Sequence, residues 1–456
     1  MDVIKALRKE LGDKVLTEPE DLYAYVTDAS AFVRQVPLAV VRAYSTEDVS
    51  LVLRIANDTT TPVVVRGGGT SLTGASIPVK GGIVLDVTPM DKIEVNVDDG
   101  WVMAEAGATV AKVDQECRKY GYFFPPDPAS SRYATIGAAL AENAGGLRGA
   151  KYGVMKNWVL SLEVVIPGGE VIRVGKPLYK WRWGPDLISL FIGSEGTLGV
   201  ITRAWLKIHP LPEKVVRVLG LFDSLEDAGK AIFEIRRSGI LPTMLELLDD
   251  ESVRIVREHS KIDIPEAEAM IIVDVDGPTE SVWRLAKRVI SIIESSGGRA
   301  EASDDPEEMK KLYAARQGIY AAVTRTYKGV LIEDIVFPVS KLVDALREIK
   351  KIKRKYGLPM PTFGHAGDGN LHPNICYDPE DPDQVEKAER MFHEVAMLAI
   401  RMGGSLSGEH GIGLTKKDLF LEELKSVNSM GYLRIVKEIK RIIDPKGIMN
   451  PGKLYP

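Results

Sequence analysis

The sequence predicts an α+β protein of two principal domains, on three observations. Between about 35 and 212, short β-rich runs alternate with helical stretches and glycine turns. After a proline-rich seam, His209-Pro210-Leu211-Pro212, the units lengthen. The chain of 456 residues also exceeds the length over which a single core goes on growing. The expected division is a helical segment over 1–34, a first domain over 35–212 and a second over 213–456.

At the N-terminus, Val3, Ile4, Leu7 and Leu11 recur at helical spacing with charges between them. This pattern is expected of neither a signal peptide nor an anchor. No run approaches the roughly 18 apolar residues of a spanning helix, so membrane association is expected only through a partner. The formal charge of -5 is small and the two signs are interleaved, which argues against nucleic acid. Cys117 and Cys376 are the only cysteines, giving no disulfide framework and no CxxC motif, as suits a cytoplasmic protein.

In the first domain, strands are expected at Val63 to Val65, Ile83 to Val87, Val102 to Glu105, Val164 to Ile166 and Val171 to Val174. A helix is expected from Thr46 to Asn57, with Thr46 as N-cap and Val49, Val52, Leu53 and Ala56 inward. In the second domain, Val215 to Phe222, Ser224 to Gly239, Thr243 to Leu248, Met270 to Val275, Thr279 to Ser296 and Arg299 to Ala302 read as a ferredoxin-like unit. Strand Val330 to Pro338, helix Ser340 to Tyr356, two strands flanking Gly364 to Leu371 and helix Pro382 to Met402 repeat the alternation. The second unit could extend one antiparallel sheet.

Chemistry concentrates in glycine-rich loops. Arg66-Gly67-Gly68-Gly69-Thr70-Ser71-Leu72-Thr73-Gly74 follows a strand and offers consecutive N–H groups, a nest suited to pyrophosphate oxygens. It lacks the Gly-Lys-Ser/Thr ending of a nucleotide-hydrolase loop and does not fit GxGxxG. Pro125-Pro126-Asp127-Pro128 and the small-residue stretch from Thr135 to Gly146 follow; alone, the latter reads more readily as tight helix packing than as cofactor binding, and beside the first loop the preference reverses.

Three of the six histidines lie in two strings, Phe363-Gly364-His365-Ala366-Gly367-Asp368-Gly369-Asn370-Leu371-His372-Pro373-Asn374 and Ser407-Gly408-Glu409-His410-Gly411-Ile412-Gly413. A tight strand-turn-strand would bring His365 and His372 together. With Glu409 they form a two-imidazole, one-carboxylate set, a common open metal site. In an extended segment His410 would point away from Glu409 and be free to act as base. Asp368, flanked by glycines, reads as a turn former behind the ligands. His209, His259 and His393 read as structural or surface residues. Hydrolysis by the same trio is disfavoured because no HExxH helix is present.

The strings RGGGTSLTG, PPDPAS, TIGAALAENAGG and LFIGSEGTLGVIT resemble the FAD-binding domain of the vanillyl-alcohol oxidase and p-cresol methylhydroxylase (PCMH) superfamily, over roughly 35 to 212. The histidine strings and the closing Met449-Asn450-Pro451-Gly452-Lys453 resemble its D-2-hydroxy-acid dehydrogenase branch, which includes D-lactate, glycolate and D-2-hydroxyglutarate enzymes. The resemblance implies a two-lobed PCMH-type FAD-binding domain followed by an α+β substrate (cap) domain, with the C-terminal tail returning to FAD.

It further implies FAD contacts from Arg66, Gly67, Gly68, Gly69, Thr70, Ser71, Thr73, Gly74, Pro126, Asp127, Ser130, Thr135, Gly137, Asn143, Gly146, Ile201 and Asn450. Some members attach flavin through a histidine in this loop; here Thr70 stands there, so FAD is expected to be non-covalent. By resemblance, His365, His372 and Glu409 hold a divalent ion, expected to be Zn2+, His410 is the base and Arg316 binds the substrate carboxylate. Without the family, Arg316 on a helix from about Asp305 to Arg325 could equally be a solvated or snorkelling side chain.

Substrate contacts are thus expected from Arg316, Asn374, His365 and His372, with Asn374 orienting the hydroxyl or carboxylate. Acids in Leu331-Ile332-Glu333-Asp334 favour a monocarboxylate, D-lactate or glycolate. The expected electron acceptor is a quinone, a cytochrome, an electron-transfer flavoprotein or an iron-sulfur subunit, and a homodimer is compatible with the sequence. The alternatives are another FAD oxidase of the superfamily, or an FAD electron-transfer subunit of a larger complex.

Overall fold

A computed structural model of the protein describes residues 2–30, 35–182, 184–260 and 264–455. The edge of the N-terminal segment at residue 34 lies outside the described residues. The chain forms two compact units: Met1–Gly145, Val154–Leu211 and Glu409–Pro456 make the first, Gly146–Gly153 and Pro212–Gly408 the second. The division after Leu211 falls in the proline seam, where His209–Pro210 forms a short strand against Tyr122–Phe123.

In the first unit, a four-stranded sheet runs Val15–Leu16, Ala39–Arg42, Ile83–Asp86, Val63–Arg66. The last three strands are parallel, as the intervening helix Thr46–Thr59 allows. That helix buries Val49, Val52, Leu53, Ile55 and Ala56 as its periodicity predicts, but its N-cap is Ser45, not Thr46. The Ser45 hydroxyl accepts from Asp48 N–H, satisfying an orphan donor of the first turn, whereas Thr46 already has helical geometry and its hydroxyl donates to Glu163.

A five-stranded antiparallel sheet follows, in the order Ile93–Asn96, Trp101–Glu105, Val200–Lys207, Val159–Val165, Val171–Gly175. Alternate residues Val102, Ala104, Leu162, Val164, Ala204 and Leu206 bury one face beneath the helices Val110–Arg118 and Ile136–Glu142. The C-terminal stretch returns to the first sheet: Val63 N–H donates to Ile448 O, and Asn450 N–H to Val63 O, each at 2.8 Å.

The second unit is built on one antiparallel sheet of eight strands. Its first four members stand in the order Arg299–Ser303, Lys214–Phe222, Ala269–Gly277, Met244–Asp249, the 4-1-3-2 order of a ferredoxin-like unit. The sheet continues through Thr362–Gly364, Asn370–Tyr377 and Gly329–Ile332, as a second unit extending the first should. The expected strand Val330 to Pro338 is interrupted: Gly329–Ile332 and Ile335–Val336 both pair with Asn370–Tyr377, and Glu333 and Asp334 break the ladder.

Helices Leu225–Arg237, Thr279–Ser295, Leu342–Tyr356 and Pro382–Arg401 cover one face of this sheet. Helices Asp250–His259, Pro306–Gln317 and Ile319–Thr326 cover the other. Asp250–His259 has no counterpart in the sequence reading. The expected helix Asp305 to Arg325 is two helices meeting at Gly318. Asp305 caps the first by accepting from Glu308 N–H, and Arg316 lies in its last turn.

Sheet alternation decides which side chains meet. Leu245 and Leu247 face one core, Met244 and Leu248 the other, and Glu246 shares the second face. Likewise Leu371 and Ile375 point to the first core and Cys376 to the second, which aligns His372 and Asn374 with Phe363 and the Arg316 helix. The fold is therefore α+β, with polar residues inserted into an otherwise apolar sheet face.

Candidate active site and cofactor cradle

In the second unit, Phe363 stands opposite His372 in the hairpin Thr362–Gly364/Asn370–Tyr377. The turn depends on glycine: a Cβ on Gly364 would lie 2.4 Å from Asn370 O, and one on Gly369, at φ +86°, 2.1 Å from Phe337 O. The result places the His365 and His372 rings edge to face, with centroids 5.3 Å apart. Asp368 supports the turn, accepting from Asn370 N–H at 3.4 Å.

Each imidazole is backed at Nδ1, His365 by a carboxylate and His372 by a main-chain carbonyl. His365 Nδ1 lies 2.8 Å from Glu246 Oε1, and because a carboxylate only accepts, Nδ1 carries the hydrogen. His372 Nδ1 lies 3.3 Å from Glu333 O and 3.7 Å from Asp334 Oδ1. Asp334 is itself held by Asn370 Nδ2 at 2.9 Å, Ser407 Oγ at 2.8 Å and Gly408 N–H at 2.9 Å. Backing one imidazole nitrogen in this way fixes the tautomer and aims the other, the arrangement typical of metal-ligating histidine.

Arg316 is neither solvated nor snorkelling. It is 3% exposed, sits 4.9 Å over the Phe363 ring, and pairs with Glu246, Nη2 to Oε2 at 2.5 Å. Burial alone would raise the Glu246 carboxyl, but the charges of Arg316 and His365 and their hydrogen bonds outweigh it and hold it below the usual range. Glu246 is the functional candidate that the sequence reading missed. The available signal was one acid amid Met244-Leu245-Glu246-Leu247-Leu248, on the face that carries His372.

Asn374 donates through Nδ2 to His372 O at 2.7 Å and to Pro361 O at 3.2 Å. Among the described residues, Asn374 Oδ1 and Arg316 Nε are buried with no hydrogen-bond partner. Such groups are costly unless a ligand or water satisfies them. Together they offer an acceptor for a hydroxyl and a cation edge for a carboxylate.

In the first unit, the glycine loop is fitted against the segment 133–138. A Cβ on Gly67 would lie 2.2 Å from Thr135 Oγ1, and one on Gly68 2.0 Å from Tyr133 O, while Gly69 has φ +66°. Thr135 Oγ1 is buried without a hydrogen-bond partner among the described residues. Ser71 Oγ accepts from Thr73 and Ala75 N–H, curling the end of the loop around Gly74 at φ +78°. Arg66 donates to Thr27 O and lies over Tyr25, and Gly137 meets Ala106 with no room for a side chain. An orphaned hydroxyl beside a cradle that side chains would fill matches the needs of a phosphate-bearing cofactor.

Around this cradle, Asn143 ends the helix Ile136–Glu142 at φ +56° and accepts from Lys156 N–H, and Asn450 Nδ2 bonds Ala75 O and Glu195 O. Asp127 and Ile201 are buried, and Ser130 O receives the Tyr133 and Ala134 amides. Thr70 and Pro126 belong to the same unit, whereas Gly146, at φ +139°, belongs to the second. Glu195 and Lys453, both buried here, were not singled out from sequence.

The histidine after Glu409 does not point away from it. Gly408 to His410 form bends, not a strand, because glycine flanks the pair and Gly411 takes φ +81°. His410 Nε2 consequently lies 3.8 Å from Glu409 Oε1, and Thr73 Oγ1 donates to His410 O at 3.2 Å. His209 stacks edgewise on Phe123 and Trp158, and His259 Nδ1 is 3.1 Å from Ile255 O, both local structural roles. Among the described residues, no helix is long and apolar enough to cross a membrane.

Comparison with known proteins matches residues 37–175 to a family described as FAD binding domain and 211–454 to one described as FAD linked oxidases, C-terminal domain. The chain is 35% identical to glycolate oxidase subunit GlcD of Bacillus subtilis (strain 168), over 95% of this chain and 92% of that protein. It is also 35% identical to a D-lactate dehydrogenase of Archaeoglobus fulgidus, over 91% and 90%. Among solved structures, p-cresol methylhydroxylase with substrate bound has the same fold, with a TM-score of 0.81 at 18% identity, covering 99% of this chain and 96% of that one.

Proposed function

Because the chain belongs to the FAD-linked oxidase family and is an FAD-dependent oxidoreductase, we propose that it oxidises a small D-2-hydroxy acid, D-lactate or glycolate, to the 2-oxo acid. The observation that carries this reading is a pair of buried atoms without hydrogen-bond partners among the described residues, Arg316 Nε and Asn374 Oδ1, beside two imidazoles backed at Nδ1 by Glu246 and by Glu333 O. A carboxylate and a neighbouring hydroxyl complement that set. The buried acids Glu246, Glu333 and Asp334 disfavour a second substrate carboxylate.

FAD, held non-covalently, would supply the oxidising power for removal of the C2 hydrogen as a hydride. A divalent ion, taken as zinc, would be held by His365, His372 and Glu409 and would acidify the C2 hydroxyl. Glu409 directly follows Gly408, whose N–H is tied to Asp334. Arg316 binds the substrate carboxylate, and its ion pair with Glu246 fixes the guanidinium plane. Asn374 Oδ1 accepts from the hydroxyl in the ground state. His410 takes the hydroxyl proton on a ring nitrogen as the hydride leaves C2, so one proton and one hydride depart and the 2-oxo acid remains.

The electrons would go on to a quinone, a cytochrome, an electron-transfer flavoprotein or an iron-sulfur subunit. In this reading the protein works in the cytoplasm and reaches any membrane through that partner. The test is turnover with an artificial electron acceptor on D-lactate, L-lactate, glycolate and D-2-hydroxyglutarate, with the 2-oxo acid product identified. Turnover on L-lactate alone, or on none of the four, would reject the reading.

A further inference from the structure

Glu195 stands in an unusual place for a buried acid. Its carboxylate grips the loop after His410 with both oxygens: Ile412 N–H donates to Oε1 at 2.7 Å and Gly413 N–H to Oε2 at 2.9 Å. The backbone of Glu195 is itself locked. It adopts φ +49°, a conformation that costs a non-glycine residue of order 1 kcal/mol or more, and it is held there by Glu195 N–H to Ala141 O at 2.9 Å and Asn450 Nδ2 to Glu195 O at 2.6 Å. Burial raises the carboxyl to about 7, while its two amide donors act the other way and favour the charged form.

The loop has no slack on its other side. Thr73 of the glycine cradle donates through Oγ1 to His410 O, and its own carbonyl accepts Leu414 N–H at 2.8 Å. Gly411 fits only because it lacks a side chain: a Cβ there would lie 2.6 Å from Glu142 Oε2 and 2.8 Å from Glu195 Oε1. The four residues from His410 to Gly413 are therefore suspended between the cofactor cradle and one carboxylate.

We propose that Glu195 is the positioning residue for His410, clamping the 410–413 loop so that the imidazole is presented at a fixed angle for proton transfer. This rests on the reading of His410 as base. In this role Glu195 acts through the amides of Ile412 and Gly413, not on a reacting atom. The effect runs through the backbone, since proton transfer falls off steeply when donor and acceptor are displaced by a fraction of an ångström. A clamp that served only global stability or cofactor retention would leave the reduction rate of the folded, FAD-loaded enzyme unchanged.

The test uses the FAD-loaded enzyme and measures the rate of flavin reduction by D-lactate in single turnover, for wild type, Glu195→Gln, His410→Ala and the double variant, with FAD content and amide exchange over 409–414 read in parallel. A glutamine keeps one acceptor oxygen and loses the other. Glu195→Gln should retain FAD, exchange the Ile412 or Gly413 amide at least 10-fold faster, and reduce flavin roughly 10- to 100-fold more slowly. In the His410→Ala background the same substitution should change the reduction rate less than about 2-fold, since it has no base left to misplace.

Wild-type reduction rates in Glu195→Gln, or a full additive loss in the double variant, would overturn the clamp while leaving His410 as base. A His410→Ala enzyme as fast as wild type would instead overturn the base reading, and the clamp with it. Should Glu195→Gln fail to hold FAD, Gly411→Ala decides: it displaces the same loop with Glu195 intact and must show the same slowed reduction and the same non-additivity with His410→Ala. A Gly411→Ala enzyme at wild-type rate would overturn the proposal.

Discussion

Glu246 joins His365 to Arg316: one carboxylate oxygen takes the imidazole Nδ1–H at 2.8 Å and the other faces the guanidinium at 2.5 Å. The proposed ligand and the proposed carboxylate anchor thus share a support that contacts neither metal nor substrate in the proposed scheme. Removing it leaves a buried arginine uncompensated. Glu246→Ala should destabilise the protein by about 3–5 kcal/mol, the usual cost of breaking one side of a buried pair, read as a lower denaturant midpoint for the second unit. An unchanged midpoint would mean that Arg316 finds another partner.

Arg316→Lys separates charge from geometry. Lysine keeps the charge but not the planar fork, so kcat/KM on D-lactate should fall about 100-fold, equivalent to about 2.7 kcal/mol, mainly through KM. Steady-state kinetics with an artificial acceptor measure this. A loss confined to kcat would move Arg316 from binding to the chemical step.

His410→Ala should retain FAD and lose turnover by about 10²- to 10⁴-fold, the range expected for losing a general base. The flavin spectrum and the reduction rate, taken on the same sample, check both halves. Loss of flavin together with activity would point to a role in the loop, not in proton transfer.

For the metal, dialysis against a chelator should abolish turnover while the protein stays yellow, and added Zn2+ should restore it. His365→Ala and His372→Ala should each lower metal content measured by elemental analysis. Full activity in metal-free protein would remove the ion from the mechanism.

A different acid sets a pH dependence of stability. Asp249 caps the helix Asp250–His259 and accepts from Ser252 and Thr362 N–H, and burial raises it from 3.8 to about 7 against the opposing pull of Lys353 and the Ser252 hydrogen bonds. The folded state therefore holds this proton more tightly than the unfolded chain does. Its stabilising contribution is full below pH 3.8 and is lost as pH rises through about 7. Asp249→Asn, which cannot ionise, should show a flatter stability profile between pH 4 and 7 in chemical denaturation, a window set by the shift at this residue. An identical slope in both proteins would assign the dependence elsewhere.

The parts of the fold that were legible in the sequence are those set by local chemistry. Glycine at 364 and 369 marks a turn that no side chain could occupy, so the hairpin joining His365 and His372 could be read from spacing. The alternation from Lys214 to Ser303 carried the ferredoxin-like order because strand and helix periods differ so plainly. What was not legible depends on pairing across the sheet. Glu246 looks like an oddity in an apolar strand until the register brings it to His365, and Arg316 looks solvated until its helix packs over Phe363. The bend at Glu409 and His410 was missed for a related reason: alternation was assumed where flanking glycines allow the chain to fold back. Helix Asp250–His259 was hidden because its apolar stripe, Val253, Ile255 and Val256, is short and lies among charges.

The central claim, that this flavoenzyme oxidises a small D-2-hydroxy acid, is tested most directly by anaerobic mixing of the purified yellow protein with D-lactate, L-lactate and glycolate while flavin absorbance is followed. Rapid bleaching by D-lactate or glycolate is expected, and none by L-lactate. Flavin that stays oxidised with both D-lactate and glycolate, in protein holding its full metal complement, would contradict it.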